Sequence, residues 1–193
     1  VGKKRFFLTS FSFVYQIFCI FASHIISIEK KMSHPLIKFH FCPVCGSSEF
    51  SVNNFKSKKC AACGFTYYAN PCSATAAFIL RGEELLVARR GKEPARGTLD
   101  LPGGFVDMQE TVEEGMAREI REETGLQAES MHYLFSLPNR YLYSDMVIHT
   151  IDMFFQVEVA AGTEPVADDD AAELFWVPLA EVRPELFGLA SIS

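Results

Sequence analysis

Residues 104–126 read GFVDMQETVEEGMAREIREETGL. This stretch holds six glutamates and one aspartate against two arginines, a net charge of −5 in a chain whose total is −6. Its pattern is that of one helix. Thr111 with Glu114 three residues on forms a capping box, and Gly125 stands where a left-handed residue closes a helix. At about 100° per residue, Val112, Met116 and Ile120 share a stripe about 80° wide, which must face a core. On the same wheel Glu119, Glu122 and Glu123 span about 100° of arc, with Glu123 between Met116 and Val112.

Carboxylates on a buried edge are costly unless paired. Clustered, they also raise one another's pKa. Pairs at helical spacing exist, Glu114 with Arg118 and Arg118 with Glu122, but two arginines cannot neutralise six glutamates. A hard divalent cation resolves this, because Mg²⁺ or Mn²⁺ takes carboxylate oxygens and keeps waters for a phosphate-bearing substrate.

The surrounding chain of 193 residues is 49% hydrophobic and 22% charged, enough for one domain and a small module. Residues 1–31 differ from the rest. They carry six of the eighteen phenylalanines and a charge of +4, leaving −10 on residues 32–193. So acidic a body does not suggest broad nucleic-acid binding. Three readings of 1–31 stand: upstream sequence joined by a misassigned start before Met32, a signal or membrane anchor, or a structured extension. The first is the expectation, since Thr9, Ser10, Ser12 and Gln16 dilute the apolar run. On it the protein is cytoplasmic and has no membrane partner.

Cys42 and Cys45, then Cys60 and Cys63 after a 14-residue gap, form two C-x2-C knuckles. Such knuckles place four thiolates round one structural Zn²⁺. Two disulfides are the alternative, disfavoured in a reducing compartment. Cys72 reads as a small buried residue. Lys56, Lys58 and Lys59 beside Phe55 suit either a solvated hairpin or a nucleic-acid contact, and the former is expected.

Beyond the ribbon, CSATAAFILRGEELLVARR reads as two strands joined at Arg81-Gly82. TLDLPGGFV, SMHYLFSLP, VIHTIDMFFQVEVAA and LFWVP give further strands, and LAEVRPELFG a short helix broken near Pro184. Strands around one convincing helix put the chain in the α+β or mixed-sheet α/β class.

Gly104, Glu110 and the run REIREETGL (Arg118, Glu119, Ile120, Glu122, Glu123, Gly125, Leu126) are similar to the signature of the Nudix hydrolase superfamily. That resemblance implies a mixed sheet between helices over residues 72–193, and the cysteine spacing puts a zinc ribbon over 32–71 before it. It implies cleavage of a diphosphate bond in a nucleoside diphosphate joined to another group. It also implies roles: Glu119, Glu122 and Glu123 as metal ligands or general base, Arg118 orienting them, Glu110 supporting, and Gly104 bringing its backbone to the metal. A four-cysteine ribbon followed by YYANP and such a body resembles the C-terminal two-thirds of bacterial NADH pyrophosphatases. By that likeness Glu173, three residues before Trp176, is a further metal ligand, with Asp170 as the fallback in the acidic loop Asp168–Asp170.

The likeness weakens at SLPNRYLYS. Ser136, Pro138 and Ser144 match that family's marker, Tyr141 replaces a Phe, and Asn139 replaces a Trp. The segment is expected to line the nucleotide pocket, with Tyr141 or Tyr143 stacking on a purine or, alternatively, packing in the core. Arg89, Arg90, Lys92 and Arg96 suit phosphate contact or an exposed basic loop. The leading function is a Mg²⁺- or Mn²⁺-dependent diphosphatase acting on an NADH, NAD, ADP-ribose or FAD type of substrate. A triphosphate-cleansing pyrophosphatase and a non-catalytic nucleotide sensor or RNA-binding module are the alternatives. Nucleic acid enters otherwise only as a capped RNA end. Relatives of this type suggest a homodimer, and they often continue into a further helix where this chain reads FGLASIS, so that either this copy is short or its end is truncated.

Overall fold

The computed structural model describes residues 33–91, 93, 95–160, 162–166 and 171–188. The readings made for residues 1–31, Lys92, Asp168, Asp169 and Asp170 therefore lie outside the described residues. No helix among the described residues is long and apolar enough to cross a membrane.

Two sheets form. The first is antiparallel, of β1 (Phe50–Asn54), β2 (Ser57–Cys60) and β3 (Thr66–Tyr68) in that order. Among the described residues its apolar centre is Cys42, Phe50 and Cys60, with Phe39 and Phe65 against them. The second has six strands: β4 (Cys72–Arg81), β5 (Glu84–Arg90), β6 (Leu99–Asp100), β7 (Ala128–Tyr143), β8 (Met146–Val159) and β9 (Ala171–Pro178). Their order is β6-β5-β4-β8-β7, with β9 also on β5. β4 and β8 run parallel, from Cys72 opposite Thr150 to Ile79 opposite Val157, and the other pairings are antiparallel.

β4 is central because its sequence suits burial on both faces, as parallel strands require. Thr75 to Ile79 are all buried. Ala76 and Phe78 join one apolar cluster with Leu85, Val87, Leu101 and Phe154. Ala77 and Ile79 join the other, with Leu86, Phe155 and Val157. The helix α1 (Val112–Thr124) packs on the second cluster. Met116 and Ile120 are wholly buried there, and Val112 lies against them, as the stripe requires. α1 is the sole α-helix among the described residues, so the second helical layer of the expected sandwich is not seen in them. Ile120→Ala is expected to cost about 3 kcal/mol through the cavity it leaves, read as a lower urea midpoint.

Both helix ends match the sequence. Thr111 Oγ1 accepts from the Glu114 N–H, and the Glu114 carboxylate accepts from the Thr111 N–H at 2.8 Å. Gly125 closes the helix at φ 68°, donating to the Arg121 carbonyl. Thr111→Ala should lower stability by about 1 kcal/mol. The Thr111 N–H also holds the Glu114 carboxyl below its ordinary value. The cap contribution is thus complete above the usual carboxylate range and is lost as pH falls through the depressed value.

Two sequence readings change. The strand read as SMHYLFSLP runs on through NRYLY to form the distal part of β7, paired with β8 out to Tyr143 opposite Met146. Pro138 is tolerated there because β7 is an edge strand and needs no outward N–H. The expected terminal helix is two 3₁₀ turns, Leu179–Glu181 and Pro184–Leu186. Pro184, with no N–H to donate, can open the second turn but cannot continue a helix from the first.

Candidate metal and nucleotide site

The segment between β6 and α1 runs beside β4. The Thr75 N–H donates to the Gly104 carbonyl at 2.8 Å, the Ala77 N–H to Pro102, and the Val106 N–H to Ser73. This lays Gly103 and Gly104 against both β4 and α1. Gly103 has φ 148°, and a Cβ there would lie 2.2 Å from the Thr75 carbonyl oxygen. A Cβ on Gly104 would lie 2.6 Å from the Glu119 carboxylate. Gly103→Ala meets rigid backbone and should fail to fold. Gly104→Ala meets only a side-chain end, so it should keep the fold, with at most a few degrees lost in Tm, while displacing Glu119 and reducing metal-dependent activity.

Arg118 organises the acids. Its guanidinium donates to both Glu110 oxygens at 2.8 and 3.0 Å, to Glu119 at 2.8 Å, to Glu122 at 3.1 Å and to the Phe105 carbonyl at 2.9 Å. The hydrogen bonds from Arg118, then that from the Asp107 N–H, hold the Glu110 carboxyl below its ordinary value. Glu119 moves the other way: burial pushes it up, and Glu122 and Asp107 add to the push against the pull of Arg118. Glu123 accepts from the Gly103 N–H at 2.8 Å, so the glycine loop rests on two of the three carboxylates.

The three do not gather into a closed set. Among the described residues only Cys42, Cys45, Cys60 and Cys63 bring three or more ligand atoms within 4.8 Å of one another. Glu119 and Glu122 meet on one guanidinium nitrogen, and Glu123 is held at the loop, because like charges separate unless a cation lies between them. Glu173 is not brought to them either. It is exposed on β9, opposite Arg89 in register, and its carboxylate accepts from Arg89 Nε at 3.3 Å. Arg89 on the adjacent strand is thus its ion-pair partner in this structure.

A cleft of about 580 Å³ opens beside these groups, with Glu119, Glu123, Gly103 and Gly104 in its wall. Asn139, Tyr141 and Tyr143 line it as expected. Ser136 and Pro138 do not, because residues alternate faces along a strand and both lie exposed on the other side of β7. Tyr141 stacks on Tyr143 at 6.5 Å and meets Phe105 edge-on at 5.9 Å. Phe105 and Tyr143 remain exposed, so the trio forms an aromatic wall rather than core. Arg89 and Arg90 also line the cleft, while Arg96 is exposed and outside its wall.

The cleft also holds residues that sequence reasoning missed: Asp100, Thr150 and Asp152. Asp100 is ion-paired with Arg90 and accepts from the Leu101 N–H at 2.9 Å. Burial raises its carboxyl while Arg90 pulls it back. Asp152 accepts from the Thr150 hydroxyl at 2.6 Å and the Asn139 amide at 2.8 Å. The available signal was a single acid inside an apolar strand, in TLDLPGG and HTIDMFF.

The donor sets fit two kinds of metal. Cys42 Sγ to Cys63 Sγ and Cys45 Sγ to Cys60 Sγ are each 3.7 Å. A tetrahedral zinc with bonds of about 2.3 Å requires sulfurs about 3.8 Å apart, whereas a disulfide needs about 2.05 Å. Gly46 and Gly64, at φ 73° and 79°, close the knuckles by donating to the Cys42 and Cys60 carbonyls. Burial opposes ionisation of Cys42, but hydrogen bonds from Cys45, Val44 and the neighbouring thiols bring it down to about 7. Cys72, by contrast with its sequence reading, is exposed, because it opens β4 before the strand enters the core. The helical acids offer hard carboxylate oxygens on a partly buried wall, suited to Mg²⁺ or Mn²⁺ rather than to a soft ion.

Comparison with known proteins agrees with the fold. The NAD-capped RNA hydrolase NudC of Haemophilus influenzae (strain PittGG) is 28% identical over 165 residues, covering 84% of this chain and 60% of that protein. The ADP-ribose pyrophosphatase of Methanocaldococcus jannaschii is 39% identical over 111 residues, 56% of this chain and 63% of that one. The chain thus spans less than two-thirds of either relative. The crystal structure of a NUDIX hydrolase from Nitrosomonas europaea superposes with a TM-score of 0.60 at 19% identity, covering 79% of this chain and 86% of that one. The NUDIX domain model matches residues 71–191. With the signature loop, helix and mixed sheet in place, the chain belongs to the NUDIX domain family.

Proposed function

We propose that the protein hydrolyses the diphosphate bond of a nucleoside diphosphate joined to a second group, of the NADH, NAD, ADP-ribose or FAD type, and releases a nucleoside monophosphate. The observation that carries this reading is one cleft with acids and an aromatic wall together. Glu119, Glu123 and the Gly103-Gly104 backbone lie in the same wall as Phe105, Tyr141 and Tyr143. Relatives named as an NAD-capped RNA hydrolase and an ADP-ribose pyrophosphatase support it.

Glu119, Glu122 and Glu123 would hold Mg²⁺ or Mn²⁺, with the Gly104 backbone beside them. Such an ion supplies an activated water and offsets charge on the diphosphate oxygens. The chain's own residues do the rest. Arg118 keeps Glu119 and Glu122 oriented and is itself fixed by Glu110 and the Phe105 carbonyl. One of the three carboxylates takes the proton of the attacking water. Tyr141 and Tyr143 stack a base, and Asn139 supports the floor through Asp152. Cys42, Cys45, Cys60 and Cys63 would hold a structural Zn²⁺, and four thiols set for metal rather than disulfides agree with a cytoplasmic setting.

The test is a panel of NADH, NAD, ADP-ribose, FAD, nucleoside triphosphates and NAD-capped RNA with Mg²⁺ or Mn²⁺, scored by nucleoside monophosphate released. At least one diphosphate-linked member is expected to turn over faster than any triphosphate. Hydrolysis of triphosphates alone, or of nothing, would overturn the reading.

A further inference from the structure

We propose that Asp100 and Asp152 make the cleft select a substrate whose bound moiety is uncharged and presents hydrogen-bond donors, and turn away the same moiety when a donor is replaced by a phosphate or a carbonyl. The inference rests on the dinucleotide reading above and deepens it. Both acids line the cleft that Glu119 and Glu123 also line. Asp152 is 7% exposed, Asn139 7% and Thr150 3%, and the side chains of Asp100 and Arg90 are 13% and 16% exposed.

Buried carboxylates on strands of an apolar sheet cost stability, and apolar residues of similar volume would serve the fold as well or better. Their place in the wall of a cleft therefore points to a ligand. The arrangement is also fixed in advance. Thr150 and Asn139 orient the Asp152 carboxylate through two neutral donors, and the Leu101 N–H and Arg90 orient Asp100. A carboxylate only accepts hydrogen bonds when ionised, so what it reads is an O–H or N–H. The two acids sense each other electrostatically, Asp152 adding to the upward push on Asp100. Arg90 pairs with Asp100, and Arg89, which also lines the cleft, pairs with Glu173. With Asp100, Asp152, Glu119 and Glu123 in the wall against these two guanidiniums, the cleft is net negative, and a phosphate brought to the two aspartates meets repulsion.

Two donor-bearing groups of a dinucleotide match: the vicinal hydroxyls of a ribose and the exocyclic amine of its base. The experiment separates them by comparing kcat/KM for a dinucleotide with that for its 2′-phosphorylated analogue and with that for its deaminated-base analogue. In the wild type one of the two analogues should be worse by roughly 100-fold or more, as when a site built to bond a donor loses it. Asp152→Asn should shrink that penalty by roughly tenfold, since an amide no longer repels phosphate and no longer offers four acceptor sites. Relief in the first arm identifies the ribose hydroxyls, and relief in the second the base amine. Thr150→Val removes only the orienting hydroxyl and should move the ratio in the same direction by less. It carries the test if Asp152→Asn fails to fold, as judged by circular dichroism.

Equal use of both analogues by the wild type would overturn the proposal. So would unchanged ratios in both folded variants. If no dinucleotide is hydrolysed, the reading of function has failed separately. Calorimetric binding of ADP-ribose against its 2′-phosphorylated and deaminated analogues, without divalent metal, then decides this preference. One analogue binding weaker than ADP-ribose by roughly tenfold or more supports it, and equal affinities for all three reject it.

Discussion

Glu123→Gln is expected to reduce turnover of a diphosphate-linked dinucleotide by about 10²- to 10⁴-fold, the range in which a positioned acid or base acts, while Tm stays within a few degrees. The reason lies in its contact. The Glu123 carboxylate accepts from the Gly103 N–H, and the carbonyl of a glutamine accepts the same bond. The substitution thus removes the charge and keeps the loop in place. Glu122→Gln should behave alike, since Glu122 is exposed and its bond to Arg118 is one of several that the guanidinium makes. Wild-type turnover in the double variant would exclude these acids from the chemistry. A nucleotide sensor would show no turnover before mutation.

Withdrawing zinc is expected to unfold residues 33–71 and leave the six-stranded sheet standing. The ribbon's apolar cluster is three buried residues, two of them the proposed ligands Cys42 and Cys60. So small a core cannot offset the chain entropy of its segment, whereas zinc at four thiolates supplies about 10–16 kcal/mol. The larger sheet has two clusters of its own. The ion pair that joins it to the N-terminal part, Lys38 to Asp145 at 3.9 Å, is exposed and worth at most about 1 kcal/mol. Hydrogen exchange before and after chelation, with zinc content measured per chain, checks this. Unchanged protection over residues 33–71 in zinc-free protein would refute a structural zinc.

What the sequence revealed and what it withheld divide along physical lines. α1 was legible to its caps, because a capping box, an apolar stripe and a closing glycine are all local. The β4–β5 hairpin was legible for the same reason, its turn marked by Gly82 between two apolar runs. The four cysteines were legible as a cluster because their spacing alone nearly dictates it. Long-range pairing was not. The alternation along β7 sends Asn139 and Tyr141 to the cleft and Ser136 and Pro138 away from it, a division hidden while the strand was read to end at Pro138. The Asp100–Arg90 pair and the Asp152–Thr150–Asn139 set depend on which strands lie side by side. Glu173 stands opposite Arg89 and pairs with it, a neighbour that only the β5–β9 pairing discloses.

The most direct measurement is Mn²⁺ binding, followed by electron paramagnetic resonance and calorimetry, to the wild type and to a variant with Glu119, Glu122 and Glu123 all changed to Gln. Binding of manganese to the wild type and its loss in the variant, with zinc content equal in both, is the predicted result. Equal manganese binding by both proteins, or none by either at saturating metal, would contradict the claim that a divalent ion belongs among these helical acids.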